Sequence, residues 1–166
     1  MRKSTVRGLI FAVSFGGSTM AFASLQAAER TIVGAWTTSV TLLNCQSGEP
    51  AGVPPFPGLA TFHDGGTMSE FGVGPGSSPA LRSPGHGVWQ REHDWQGYSS
   101  TFIHYRYDSS GGFIGSQKVT SDLELAASGD AYVTKSVVEI LGVNNNVIAT
   151  ACAHPAAREV RAGPKP

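Results

Sequence analysis

From Gly34 onward the chain never sustains a helical period; runs rich in Val, Ile, Thr, Tyr and Phe are cut at short intervals by Gly, Pro, Asn and Asp. Short strands joined by tight turns have that pattern. Eight runs are expected to be strands: 34–45, 58–64, 67–73, 86–92, 98–108, 113–125, 132–143 and 147–160. The 113–125 run alternates most cleanly. Ser116, Lys118, Thr120, Asp122 and Glu124 share one face, while Gln117, Val119, Ser121, Leu123 and Leu125 share the other, as in a half-buried antiparallel strand. The expected fold class is all-β, a single antiparallel up-and-down barrel of about eight strands.

The turns predict registers. Asp64-Gly65-Gly66-Thr67 reads as a two-residue hairpin, since paired glycines accept the positive φ such turns require. The four-residue connection Ser109 to Gly112 sets 108 opposite 113, so His104 faces Gln117, Phe102 faces Val119 and Ser100 faces Ser121, all inward. Between the sixth and seventh runs, one register places Asp122 opposite Lys135 and Lys118 opposite Glu139. Two opposite-charge pairs from a single alignment favour it.

The N-terminus carries a different signal. Arg2, Lys3 and Arg7 precede an uncharged stretch from Gly8 to Ala23 that closes on Ala21-Phe22-Ala23. A basic start, a short apolar run and an A-x-A end describe a cleavable secretory signal. Cleavage is expected before Ser24, with a second site near Ala28 as the alternative. The run is short for a membrane span, which needs roughly 20 apolar residues. The expected organisation is a signal peptide at 1–23, a lead-in at 24–33, a barrel at 34–161 and a tail at 162–166. The expected destination is the periplasm or the exterior, with no integral membrane segment after cleavage. Charge supports a narrow set of partners: 12 basic against 12 acidic residues, and only 14% charged overall. No basic face for nucleic acid is available in such a chain. Cys45 and Cys152 lie in the expected mature part and are expected to pair in an oxidising compartment.

If the two cysteines lie opposite one another, the first and last strands pair and the sheet closes. That register sets Trp36 opposite Arg161. Gly34-Ala35-Trp36 then opens the first strand as the G-x-W motif opens a lipocalin, and the architectural likeness spans most of 31–161. The resemblance is to a lipocalin-like (calycin-type) exported bacterial β-barrel. It implies that Trp36 closes the barrel floor with a basic residue near the end of the last strand, Arg161 or Arg158, packed on it. It also implies that the long connection at 46–57 lies at the mouth. No second T-D-Y-type motif follows, and the tail is too short for the flanking helix of that family.

Candidate ligand-binding residues follow from parity. His104, Arg106 and Gln117 are expected to point inward near the mouth, with Gly115 leaving room opposite Arg106 and His86 joining them from the fourth strand. A buried guanidinium calls for an anionic partner, and Glu70 is one candidate; a ligand carboxylate or phosphate is another. The Gly-, Pro- and Ser-rich stretch at 72–87 is a long loop or a lid over the mouth. No metal ligand set is expected, because the histidines show no H-x-H or H-E-x-x-H spacing. No cofactor and no catalytic residue are expected, and nothing in the sequence sets the oligomeric state. Three functions remain open: a carrier of a small, acidic and partly apolar ligand; an isomerase or cyclase resembling allene oxide cyclase and dirigent proteins; and a filled barrel with no ligand.

Overall fold

The computed structural model describes residues 30–92 and 94–161. The expected signal peptide, the first part of the lead-in and the tail beyond Arg161 lie outside the described residues. Eight strands follow in chain order: β1 Gly34–Leu43, β2 Phe56–Phe62, β3 Thr67–Gly72, β4 Gly85–Arg91, β5 Gly97–Tyr107, β6 Phe113–Leu125, β7 Ala131–Leu141 and β8 Val147–Glu159. Each pairs antiparallel with its neighbours, and β1 pairs with β8, closing the barrel. Closure leaves no free sheet edge. One 3-10 turn, Pro79–Leu81, interrupts the β3–β4 connection. No helix among the described residues is long and apolar enough to cross a membrane.

Gly65 and Gly66 take φ of 90° and 87°, but Phe62 lies opposite Met68 and His63 N–H donates to the Thr67 carbonyl, so the turn is the three-residue loop Asp64–Gly66 and not the expected two-residue hairpin. The interiors of β5–β6 and β6–β7 pair as expected. His104 pairs with Gln117, Phe102 with Val119 and Ser100 with Ser121. Asp122 pairs with Lys135 and Lys118 with Glu139, and the latter two make an ion pair at 3.1 Å. At the rim, the β5–β6 ladder shifts between Arg106 and Tyr107. Opposite that shift Gly115 has φ of 127°, and a Cβ there would stand 2.0 Å from the Leu141 carbonyl oxygen. Only glycine fits that backbone.

The closing register differs from expectation by two residues. Glu159, not Arg161, lies opposite Trp36, and Leu43, not Cys45, lies opposite Cys152. The cause is local. β1 ends at Leu43, and the Asn44 side chain accepts from the backbone N–H of Gln46, curling Cys45 out of the ladder and back toward β8. The disulfide still forms, with 5.2 Å between the two Cα atoms, but it joins a turn to a strand. Arg161 therefore does not pack on Trp36. It is exposed and paired with Glu159 at 2.9 Å and Asp130 at 3.8 Å; Arg158 is exposed as well.

Trp36 nonetheless closes the floor. It is 1% exposed and donates its indole N–H to the Ile32 carbonyl at 2.9 Å, so the lead-in covers the barrel end. Around it aromatic rings pack with Ile32, Met68, Leu123 and Leu125 in the core of the lower half. Trp36 meets Tyr132 edge-on at 4.9 Å, Tyr132 meets Phe62 at 5.8 Å, and Trp89 stands between Phe62 and Tyr98. Edge-to-face contacts at such separations add to the burial of apolar area.

Candidate functional site

Above the aromatic floor the inward side chains shrink and a space opens. A cavity of about 120 Å³ runs up the barrel axis, and a cleft of about 300 Å³ lies above it at the mouth. Leu42, Phe56, Arg82, His104, Gln117 and Val138 border both, so the two spaces meet at one neck. Two glycines on β4 help make this room. Gly85 and Gly87 face inward, where a Cβ would press within 2.9 Å of Phe102 or of Glu70, or within 2.1 Å of the Thr101 carbonyl oxygen. Their lack of side chains lets Phe102 and Glu70 occupy the interior.

The neck is polar on one side. His104 is buried; its Nδ1 lies 3.2 Å from the carbonyl oxygen of Tyr105. A carbonyl only accepts, so Nδ1 carries the proton, and Nε2 of the neutral ring is left as an acceptor. Burial pushes the His104 pKa down to about 4, and the guanidinium charges of Arg82 and Arg106 add to that fall. At neutral pH the ring is uncharged. Gln117 is half-buried beside it and makes no side-chain hydrogen bond to another described residue.

Arg106 lies one inward step nearer the mouth, opposite Gly115, and lines the upper cleft. It is half-buried, and among the described residues no carboxylate pairs with it. Glu70, the expected internal partner, is taken by a residue that the strand pattern missed. Arg82 reaches from the β3–β4 connection and bonds the Glu70 Oε2 at 2.6 Å, with side-chain exposures of 11% and 17%. The same guanidinium donates to the carbonyls of Gly72 and Ser83. Arg82 is therefore saturated with acceptors, and Arg106 is not. Burial raises the Glu70 pKa, while the bond to Arg82 and its charge hold that rise back.

The β3–β4 connection is a strap pinned across β5. Ser83 N–H donates to the Tyr105 carbonyl, the Ser83 hydroxyl accepts from Tyr105 N–H, and Arg82 forms a backbone bridge with Arg106. His86 does not join the site. With Gly85 and Gly87 inward, parity turns His86 to the outer face, where it is exposed. The structure thus brings His104, Arg106, Gln117 and Glu70 to one end of the barrel, adds Arg82, and leaves out His86. No protein-family model matches this chain, and a search of curated proteins finds no match.

Proposed function

We propose that this chain is an exported, lipocalin-like barrel that holds a small ligand, acidic at one end and apolar along its body, at the barrel mouth. One observation carries the reading: a half-buried guanidinium with no carboxylate partner among the described residues, Arg106, lines the cleft above a cavity bordered by Val40, Leu42, Phe56 and Met68. An anionic group on Arg106 would relieve its desolvation through charge-assisted hydrogen bonds, and the apolar body would enter the space below. The G-x-W start of β1, the floor position of Trp36 and the eight-strand closure support the lipocalin-like reading. The disulfide supports an oxidising destination, in line with residues 1–23 acting as a signal peptide.

A second reading has a specific observation behind it. Glu70 and His104 border one cavity and both have displaced pKa values, a feature of acid–base sites. In an isomerase or cyclase, His104 Nε2 would accept a proton. Glu70 is held by Arg82 and His104 stands in the field of two guanidinium groups, an arrangement that suits holding an anion better than transferring protons. Native mass spectrometry with a panel of acidic lipophilic compounds, on the wild type and Arg106→Ala, tests the carrier reading. Complexes with the wild type that weaken at least tenfold in the variant are expected. Equal binding by both proteins, or by neither, removes it.

A further inference from the structure

The inward faces of β5, β6 and β7 are layered by chemistry. At the rim stands Arg106 opposite Gly115. One inward step below, His104 faces Gln117. Below that come Phe102, Val119 and Val138, all apolar. The next layer is Ser100, Ser121 and Ser136, all hydroxyl. A strand advances about 3.4 Å per residue, and barrel strands tilt by roughly 40°, so the rim and the hydroxyl layer are separated by roughly 15 Å of depth.

That lowest layer has unspent hydrogen-bonding capacity. Ser121 and Ser136 share a hydrogen bond at 2.7 Å, and Thr134 joins Ser136 at 3.1 Å. Three hydroxyls bring three donors, and two bonds use two of them. The hydroxyls of Ser100 and Tyr132 border the same cavity and bond to no other described residue. Ser100, Ser121, Thr134 and Ser136 are only 4–6% exposed. Among the described residues no fully buried side-chain nitrogen or oxygen lacks a partner, so the unspent hydroxyl capacity faces the cavity, where a polar ligand group could take it up.

Resting on the acid-binding reading above, we infer that the ligand is bipolar: a medium-length carboxylic acid whose far end carries a hydroxyl or similar group. Its carboxylate meets Arg106, its apolar body passes Phe102, Val119 and Val138, and its far end exchanges hydrogen bonds with the serine layer. The inner cavity, about 120 Å³, opens into the cleft of about 300 Å³ above it, and a medium-length acid would share its body between the two.

Isothermal titration with decanoate and ω-hydroxydecanoate separates this inference from the reading it rests on. The disulfide-bonded wild type is expected to bind the hydroxylated acid about five- to tenfold more tightly, as one or two added hydrogen bonds would give. Ser100→Ala and Ser121→Ala/Ser136→Ala are expected to shrink that preference while still binding decanoate. Should the double variant fail to fold, the wild-type ratio and Ser100→Ala decide. Equal affinities for the two acids in the wild type, or a preference for decanoate, overturn the bipolar ligand and leave acid binding standing. Binding of neither acid overturns both.

Discussion

Tyr132 and Val138 both point into the barrel from β7 and border the same cavity, yet their surroundings differ. Tyr132 closes its lower end, packed edge-on against Trp36 and Phe62. Val138 borders open space, with a buried neutral histidine and an ion pair around the same neck. The strands are continuous between the two, so backbone geometry does not make the difference. Side-chain volume and polarity do. Where aromatic rings fill the barrel the structure is closed and self-sufficient. Where the inward positions are Gly85, Gly87, Gly115, Ser121, Ser136 and Ala151, the wall stands without a filling and holds charged groups that need partners. The floor half is packed and the mouth half is open.

The largest expected effect lies in the floor. Trp36→Ala removes a large buried ring and the hydrogen bond to Ile32, and should destabilise the protein by about 3–5 kcal/mol in urea unfolding. An unchanged midpoint would mean that the floor is not the stabilising half, and the contrast between the halves would fail.

In the mouth half, Arg82→Met should lower stability by about 2 kcal/mol, because it strands the Glu70 carboxylate in a partly desolvated place. Adding Glu70→Gln to the same chain should recover most of that loss. Equal stability of single and double variants would show that the pair is exposed enough for water to replace either partner.

A smaller effect is written in pH. The His104 pKa falls from 6.5 to about 4 on folding. Between those values the unfolded chain binds a proton that the folded ring refuses, so stability from this residue is full above pH 6.5 and is lost as pH falls toward 4. With water reaching the ring through the mouth, the loss is expected to be about 1–2 kcal/mol. Glu70 acts in the opposite sense, since its raised pKa lets the folded state take up a proton first on acidification. Comparing wild type with His104→Gln isolates the histidine: the variant should lose less stability across that window. Identical pH profiles would place the ring in ordinary solvent.

How much of this was legible in the residues depended on what fixed each register. Short turns and cross-strand charges fixed β5–β6 and β6–β7; the second stands residue for residue, and the first stands up to Arg106, beyond which Tyr107 and not Asp108 lies opposite Phe113. The β1–β8 register hung on Cys45 lying within a strand, and nothing before the structure revealed that Asn44 would turn the chain two residues early. Sulfur bridges tolerate a curl that a hydrogen-bonded ladder does not, so the bridge survived and the contact between Trp36 and Arg161 did not. Strand membership alone points His86 inward. The signal against it was present, for glycines at 85 and 87 flank it, and a glycine pair at alternate positions marks a close approach of neighbouring chain. Arg82 was hidden for a different reason. It lies in a loop, where no periodicity says which way a side chain points. Its only trace was the need of an inward Glu70 for a cation, and Arg106 was the cation in view.

An acid whose carboxylate meets Arg106 would lie near His104, one inward step below, and the histidine itself reports on it. Following the His104 ring by NMR through a pH titration, with and without decanoate, gives its pKa in each state. The free protein should titrate near 4. A bound carboxylate would offset the two guanidinium charges and stabilise the imidazolium, so the pKa should rise by about a unit or more. A saturating acid that leaves the His104 pKa unchanged would place the ligand elsewhere and contradict the account.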